Sequence, residues 1–68
     1  AKVAAAFSNV LGIENVGVHD DFFDLGGHSL LSTQLAAELR NIFHKDVSIM
    51  SIIETPTVAG ITAAIVEN

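Results

Sequence analysis

Three sets of apolar residues, each with the spacing of an α-helix, restrict this chain to a helical fold. Residues three or four positions apart lie on one face of a helix, so each set forms a stripe that must be buried. No segment alternates apolar and polar residues cleanly enough for a β-sheet. The stripes are Val3, Phe7, Val10 and Leu11; Leu31, Leu35, Leu39 and Ile42; and Val58, Ile61 and Ile65.

The length of the chain and its lack of cysteine determine how such helices must be stabilised. With 68 residues, the chain is long enough for one domain and too short for two. It contains no Cys, which excludes disulfides and thiolate metal sites. Its only aromatic residues are four Phe, so close packing of helices around a mainly aliphatic core must supply the stability.

Capping residues set the boundaries of the first two helices. The first helix is predicted over residues 2–11, with Gly12 as a left-handed C-terminal cap. The second is predicted from Ser29 or Leu30 to about Phe43, with the Ser29 side chain as its N-cap.

Two further helices follow. Ser48 is expected to cap a short helix that ends before Pro56, because the residue before a proline avoids helical geometry. Thr57 is expected to cap the last helix. We therefore predict an all-α fold, a small four-helix bundle with three main helices, a short third helix and a long loop between helices 1 and 2.

The loop over residues 13–28 has no helical period and is long for so small a domain. Loops of this length are usually functional. We expect its apolar side chains to pin it across the bundle, and Gly26 and Gly27 to allow a close turn that leaves the next serine uncrowded. The apolar side chains are Val16, Val18, Phe22, Phe23 and Leu25.

An acidic composition limits the classes of partner. Three basic residues oppose eight acidic ones, which gives a formal net charge of −5. Nucleic acids and anionic membranes require clustered Lys and Arg, so we expect neither as a partner, whereas basic protein surfaces are compatible. We also expect no membrane span and no signal peptide. The expectation is a cytoplasmic, monomeric domain over residues 1–68, excised from a longer chain.

The four residues Gly26, Gly27, His28 and Ser29, which lead into the second helix, are open to several interpretations. A serine hydrolase would need a Gly-x-Ser-x-Gly elbow, but Leu31 stands where the second glycine belongs. Noncovalent phosphate binding at the helix N-terminus would need the Lys of the Walker pattern or the strand of the Rossmann pattern. Both interpretations are disfavoured.

A metal site and a purely structural turn are the other two interpretations. The His and acidic residues of the loop match no established ligand spacing, and adjacent loop acids are usually solvated. In the structural interpretation, Ser29 only caps the helix and the glycines only form a turn. Taken alone, the four residues favour that interpretation. The candidate metal ligands are His19, Asp20, Asp21, Asp24 and His28.

The longer segment from Asp21 to Leu30, DFFDLGGHSL, changes this balance. It closely resembles the attachment motif of thiolation, or peptidyl carrier, domains of nonribosomal peptide synthetases. The resemblance extends along nearly the whole chain, through residues 10–11 in the first helix, residues 35 and 39 in the second and residues 54–58 before the last. Peptidyl and aryl carriers typically have Gly-Gly-His before the modified serine, as here, whereas fatty-acid and polyketide carriers typically have Asp.

The resemblance implies a noncatalytic carrier domain with a fold like that of acyl carrier proteins. Ser29 would accept 4′-phosphopantetheine from coenzyme A through a magnesium-dependent phosphopantetheinyl transferase. The bound group would then carry aminoacyl, aryl or peptidyl thioesters. The expected partners are that transferase and the adenylation, condensation and thioesterase or reductase domains of a synthetase. A carboxylic-acid reductase carries a very similar domain, and an unmodified helical interaction module is a further alternative.

Three positions beside the attachment serine are assigned to the prosthetic group or to partners. Gly27 and His28 precede Ser29, and the His28 ring either hydrogen-bonds the phosphate or faces solvent. Leu30 follows Ser29 and projects away from the buried stripe of its helix. We therefore place Leu30 beside the prosthetic group and expect it to contact partners.

The remaining expectations concern the helix surfaces. Thr33 and Gln34 share the outward face with Leu30 and are predicted partner contacts. Met50 and Ile53 of the short helix either extend that surface or pack into the core. The simplest interpretation of the charged residues Arg40, Lys45 and Asp46 is solvated surface.

Overall fold

The computed structural model describes residues 2–67, so the two ends of the predicted 1–68 domain, Ala1 and Asn68, lie outside the described residues. Four helices follow one another: α1 (Lys2–Leu11), α2 (Ser29–Phe43), α3 (Ile49–Glu54) and α4 (Val58–Glu67). Within residues 2–67 there is no β-strand, only an isolated antiparallel bridge between Asp21 and Thr57. The prediction of an all-α fold with a short third helix is confirmed.

Three of the predicted helix caps are confirmed. Gly12 adopts a positive φ of 69°, and its N–H donates to the Ser8 carbonyl at 2.8 Å. The Ser48 hydroxyl accepts from the Ser51 N–H at 3.1 Å and caps α3. The Thr57 hydroxyl accepts from the Gly60 N–H at 3.0 Å and caps α4. Each contact satisfies a backbone group that has no partner within its own helix.

One core joins the four helices and the long loop. Phe7 of α1 and Phe22 of the loop are both fully buried, and their rings meet edge to face with 5.2 Å between centroids. Burial of a Phe side chain stabilises a fold by about 1.5–3 kcal/mol. The core consists of Val3, Ala6, Phe7, Phe22, Leu35, Ala36, Leu39, Val47, Ile52, Val58, Ile61 and Ile65.

The loop is pinned across the bundle by four of its five predicted anchors. Phe22 is fully buried, and Val16, Phe23 and Leu25 are half-buried against the core. The prediction for Val18 is wrong, because its side chain is 52% exposed. Val18 nevertheless fixes the loop through its backbone, since its carbonyl accepts from the Ala59 N–H of α4 at 2.9 Å.

The buried face of α2 is centred differently from the predicted stripe. Leu35 and Leu39 are fully buried as predicted, whereas Leu31 and Ile42 are only half-buried. Ser32 and Ala36 are buried in their place. A pattern of large apolar residues overlooks both positions, because one residue is polar and the other is small.

The charged residues Arg40, Lys45 and Asp46 are exposed, as predicted, and two of them also bond backbone carbonyls. The Arg40 Nε donates to the Val47 carbonyl at 3.1 Å and holds the segment between α2 and α3. The Lys45 Nζ donates to the Ile65 carbonyl in the last turn of α4 at 3.2 Å. A cation at a helix C-terminus also interacts favourably with the helix dipole.

Over residues 2–67, no helix is both long enough and apolar enough to cross a lipid bilayer.

Candidate functional site

The loop in front of α2 is held by short hydrogen bonds within the loop and to the start of α4. The Asp21 Oδ1 accepts from the N–H groups of Phe23 at 2.8 Å and Asp24 at 3.2 Å. The Phe22 N–H donates to the Pro56 carbonyl at 2.7 Å. An Asp side chain that bonds the backbone two residues on stabilises a turn. The loop is therefore an ordered connection, fixed before it reaches Ser29.

The two glycines before the site serve different purposes. Gly26 has a φ of 108°, a conformation that residues with a side chain rarely adopt. At Gly27, an added Cβ would lie 2.4 Å from ring carbons of Phe22 and 2.7 Å from the Phe22 carbonyl oxygen. The expectation that Gly27 leaves the serine uncrowded stays a prediction, and the structure adds a second reason for a glycine here. Gly27 is needed because the backbone lies directly on the buried Phe22.

Ser29 is the first residue of α2, and the prediction that its side chain caps the helix is wrong. The N-cap residue is His28, in an extended conformation with φ −149° and ψ −177°, and no side chain caps the helix. An N-cap residue is extended while the next residue is already helical. The Ser29 hydroxyl is exposed and makes no hydrogen bond within residues 2–67.

His28 contributes its backbone to the site. Its carbonyl accepts from both the N–H of Ser32, at 2.8 Å, and the Ser32 hydroxyl, at 2.9 Å. The His28 side chain is exposed. Ser32 is fully buried and was not identified from the sequence, where a polar residue followed by Thr33 and Gln34 gave no signal. The two hydrogen bonds from Ser32 therefore fix the peptide that joins His28 to Ser29.

The acidic residues of the loop bond its backbone. The Asp20 Oδ2 accepts from the Gly17 N–H at 2.8 Å, and Asp21 bonds Phe23 and Asp24 as described. Over residues 2–67, no three His, Asp or Glu side chains converge as metal ligands would.

The predicted partner residues all lie on exposed surfaces. Leu30 is 63% exposed, Met50 60% and Ile53 50%, so Met50 and Ile53 do not pack into the core. Thr33 and Gln34 are also exposed. Because α3 packs against α2, these residues belong to two neighbouring helices. Ile49, 37% exposed on α3, was not identified from the sequence.

A family model for the phosphopantetheine attachment site matches residues 1–65, nearly the whole chain. The chain belongs to this family. His28 and Ser29, at the start of α2, thus lie in a carrier domain, and the prosthetic group of this family is 4′-phosphopantetheine.

Curated relatives and solved structures agree with this assignment. The chain is 58% identical over 60 residues to part of a linear gramicidin synthase of Brevibacillus parabrevis. That match covers 88% of this chain and 1% of the relative, so the chain spans only a small part of the synthases it matches. This carrier domain is therefore of the kind found in nonribosomal peptide synthetases.

Two solved structures share the fold. One is a peptidyl carrier protein in complex with the phosphopantetheine transferase Sfp and coenzyme A, with a TM-score of 0.94, 25% identity and coverage of 98% of this chain and 87% of that one. The other is the McyG A-PCP structure with phenylalanyl-adenylate, with a TM-score of 0.87, 36% identity and coverage of 93% and 10%. The predicted carrier-protein fold is confirmed.

Proposed function

We propose that Ser29 is the residue that carries 4′-phosphopantetheine. The observation that supports this most directly is its hydroxyl, which is exposed at the start of α2 and not engaged as a helix cap. Ser29 is also the serine of the DFFDLGGHSL segment, the part of the chain that most resembles the attachment motif.

The residues around Ser29 suit a phosphodiester. The N–H groups of the first turn of a helix have no intrahelical partner, and the helix dipole favours an anion there. Each such interaction is worth about 0.3–1 kcal/mol at a surface. That energy orients the start of the prosthetic group without holding the whole arm against the bundle. The His28 ring, exposed beside Ser29, is close enough in sequence to join these donors.

The attachment reaction is a group transfer. The Ser29 oxygen forms a bond to the phosphorus of coenzyme A that carries the pantetheine arm. The phosphoanhydride bond to the other phosphorus breaks, and adenosine 3′,5′-bisphosphate leaves. The hydroxyl proton passes to a base of the transferase, which supplies the catalysis together with Mg²⁺. On this proposal the carrier domain contributes a positioned hydroxyl and is noncatalytic.

The same proposal covers the carried group and the wider assembly. The thiol of the bound arm supplies thioester chemistry, and the domain supplies position and recognition. We propose that the domain is part of a longer synthetase chain in the cytoplasm, where it passes aminoacyl, aryl or peptidyl thioesters between adenylation, condensation and thioesterase or reductase domains. The Sfp complex supports a phosphopantetheinyl transferase as a partner, and the McyG A-PCP structure supports an adenylation domain.

The outward faces of α2 and α3 are the proposed docking surface. Leu30, Met50 and Ile53 supply exposed apolar contacts, and Thr33 and Gln34 supply polar ones. A domain that visits several partners needs small interfaces with few strong contacts, so that each partner can be released.

Mass spectrometry tests the attachment. The 68-residue chain is incubated with a phosphopantetheinyl transferase of broad specificity, Mg²⁺ and coenzyme A. We expect the mass to rise by one phosphopantetheine, with the group located on the peptide that contains Ser29. Ser29→Ala should abolish the increase, and Thr62→Ala, a control that removes an exposed hydroxyl from α4, should retain it.

Two results would contradict the proposal. One is an unchanged mass for the wild-type chain, which would favour a helical interaction module that is never modified. The other is a mass increase that survives Ser29→Ala, which would assign the group to another side chain.

A further inference from the structure

We propose that Phe22 is a positioning residue for the modification of Ser29. This inference rests on the proposed attachment at Ser29 and adds a residue that lies seven positions earlier in the sequence. Phe22 acts through Gly27, whose backbone lies on the Phe22 ring and carbonyl.

Phe22 is itself held firmly on several sides. Its side chain is fully buried, and its ring meets the rings of Phe7 at 5.2 Å and Phe23 at 5.5 Å in edge-to-face geometry. Its N–H donates to the Pro56 carbonyl at 2.7 Å, just before α4. Phe22 therefore has a fixed position relative to α1 and to the start of α4.

Gly27 takes its position from Phe22 through two contacts. Its N–H donates to the Phe22 carbonyl at 3.0 Å, which closes the turn over Gly26. Its Cα lies so close to the Phe22 ring that an added Cβ would stand 2.4 Å from two ring carbons. Removal of the ring would leave Gly27 without the surface on which it rests.

Only His28 separates Gly27 from Ser29. The carbonyl of His28 is held by the N–H and hydroxyl of Ser32, so the segment is fixed on the helix side as well. With Gly27 seated on Phe22 and His28 bonded to Ser32, the backbone has little freedom left at Ser29. The chain thereby presents the hydroxyl to a transferase in one orientation, although no side chain caps this end of α2.

Phe7 provides a matched comparison for Phe22. Both are phenylalanines of the same core, both are fully buried, and their rings touch. However, the atoms nearest to a Cβ at Gly27 all belong to Phe22. The substitutions Phe22→Leu and Phe7→Leu remove the same atoms from the same core, but only the first removes the ring on which Gly27 lies.

The experiment compares transferase kinetics of the wild-type chain, Phe22→Leu and Phe7→Leu with coenzyme A and Mg²⁺, at a temperature at which circular dichroism shows all three fully folded. We expect Phe22→Leu to lower kcat about tenfold relative to Phe7→Leu, because small misplacements of a nucleophile are costly. KM should change little, because the outer faces of α2 and α3 are untouched. Equal kcat values for the two variants would overturn the proposal.

A second pair of variants keeps the proposal testable if Phe22→Leu does not fold. Gly27→Ala disturbs the same contact from the other side. Gly60→Ala is the control, since the atoms nearest its Cβ would belong to Thr55 and Thr57 and not to Phe22. We expect the kcat loss for Gly27→Ala and not for Gly60→Ala; similar kcat values would overturn the proposal.

The two proposals fail in different ways. If the wild-type chain is not modified at Ser29, the proposed function fails. If the wild-type chain is modified but kcat does not differ within either pair of variants, only the role of Phe22 is rejected.

Discussion

The N-terminus of α2 differs from the N-termini of α3 and α4. The two later helices are each preceded by a hydroxyl residue, Ser48 or Thr57, whose oxygen accepts a hydrogen bond from a backbone N–H of the helix. The N-terminus of α2 also has a serine, but Ser29 lies one position inside the helix and its hydroxyl is not used as a cap. The same side-chain chemistry is thus structural at two helix ends and available for reaction at the third.

The helix ends differ in which residue is the last one before the helix, the N-cap residue. At α3 and α4, the hydroxyl residue itself precedes the helix. At α2, Gly27 is seated on Phe22, and the extended residue is His28, so Ser29 is already helical. A helix that lacks a capping side chain loses about 1 kcal/mol relative to one that has it. α2 tolerates this loss because its other face is packed into the core through Leu35 and Leu39.

The largest effect is expected at Thr57. Thr57→Ala removes the acceptor of the Gly60 N–H and should lower the free energy of unfolding by about 1 kcal/mol. In a domain of this size, that corresponds to a fall in Tm of roughly 4–8 °C. Thermal unfolding followed by circular dichroism measures the change. Thr57→Ser keeps the hydroxyl and should retain most of the stability, so an equal loss in both variants would show that the methyl group, not the cap, is important.

A smaller effect of opposite sign is expected at His28. His28 already has extended backbone geometry, with φ −149°, but no capping bond. In His28→Asn, the side-chain oxygen can accept an N–H of the first turn, which should raise the free energy of unfolding by about 0.5–1 kcal/mol. His28→Ala is the control and should show no gain. If His28→Asn were no more stable than His28→Ala, the comparison among the three helix ends would fail.

The sequence predicted the helices well because their signals are local. The apolar stripes and the residues Gly12, Ser48 and Thr57 define helix ends without reference to the rest of the chain, and the structure has the same ends. Hydrogen bonds between distant segments were not predictable in this way. Lys45 bonds the Ile65 carbonyl across 20 positions, and nothing in the neighbouring residues indicates it.

The candidate site was predicted in part. The DFFDLGGHSL segment led to the proposal of Ser29, whose side chain the structure shows exposed, and Leu30, Met50 and Ile53 are exposed as a surface assignment requires. The error over the Ser29 cap has a tertiary cause. Which residue stays extended depends on the contact between Gly27 and Phe22, and a sequence pattern gives no sign of such a contact. Ser32 was overlooked because a polar residue is expected at the surface. Its burial is understood only when its hydrogen bond to the His28 carbonyl is known.

The smallest effect on stability is expected at Ser29 itself. Ser29→Ala removes a hydroxyl that is exposed and bonds nothing within residues 2–67, so the free energy of unfolding should change by less than about 0.5 kcal/mol. Urea unfolding of the two unmodified proteins measures this directly. Ser48→Ala is the matched comparison, because it removes the same group from a position where that group accepts the Ser51 N–H. A loss at Ser29 as large as that at Ser48 would mean that the Ser29 hydroxyl caps α2 in solution, and the difference between Ser29 and the two capping residues would disappear.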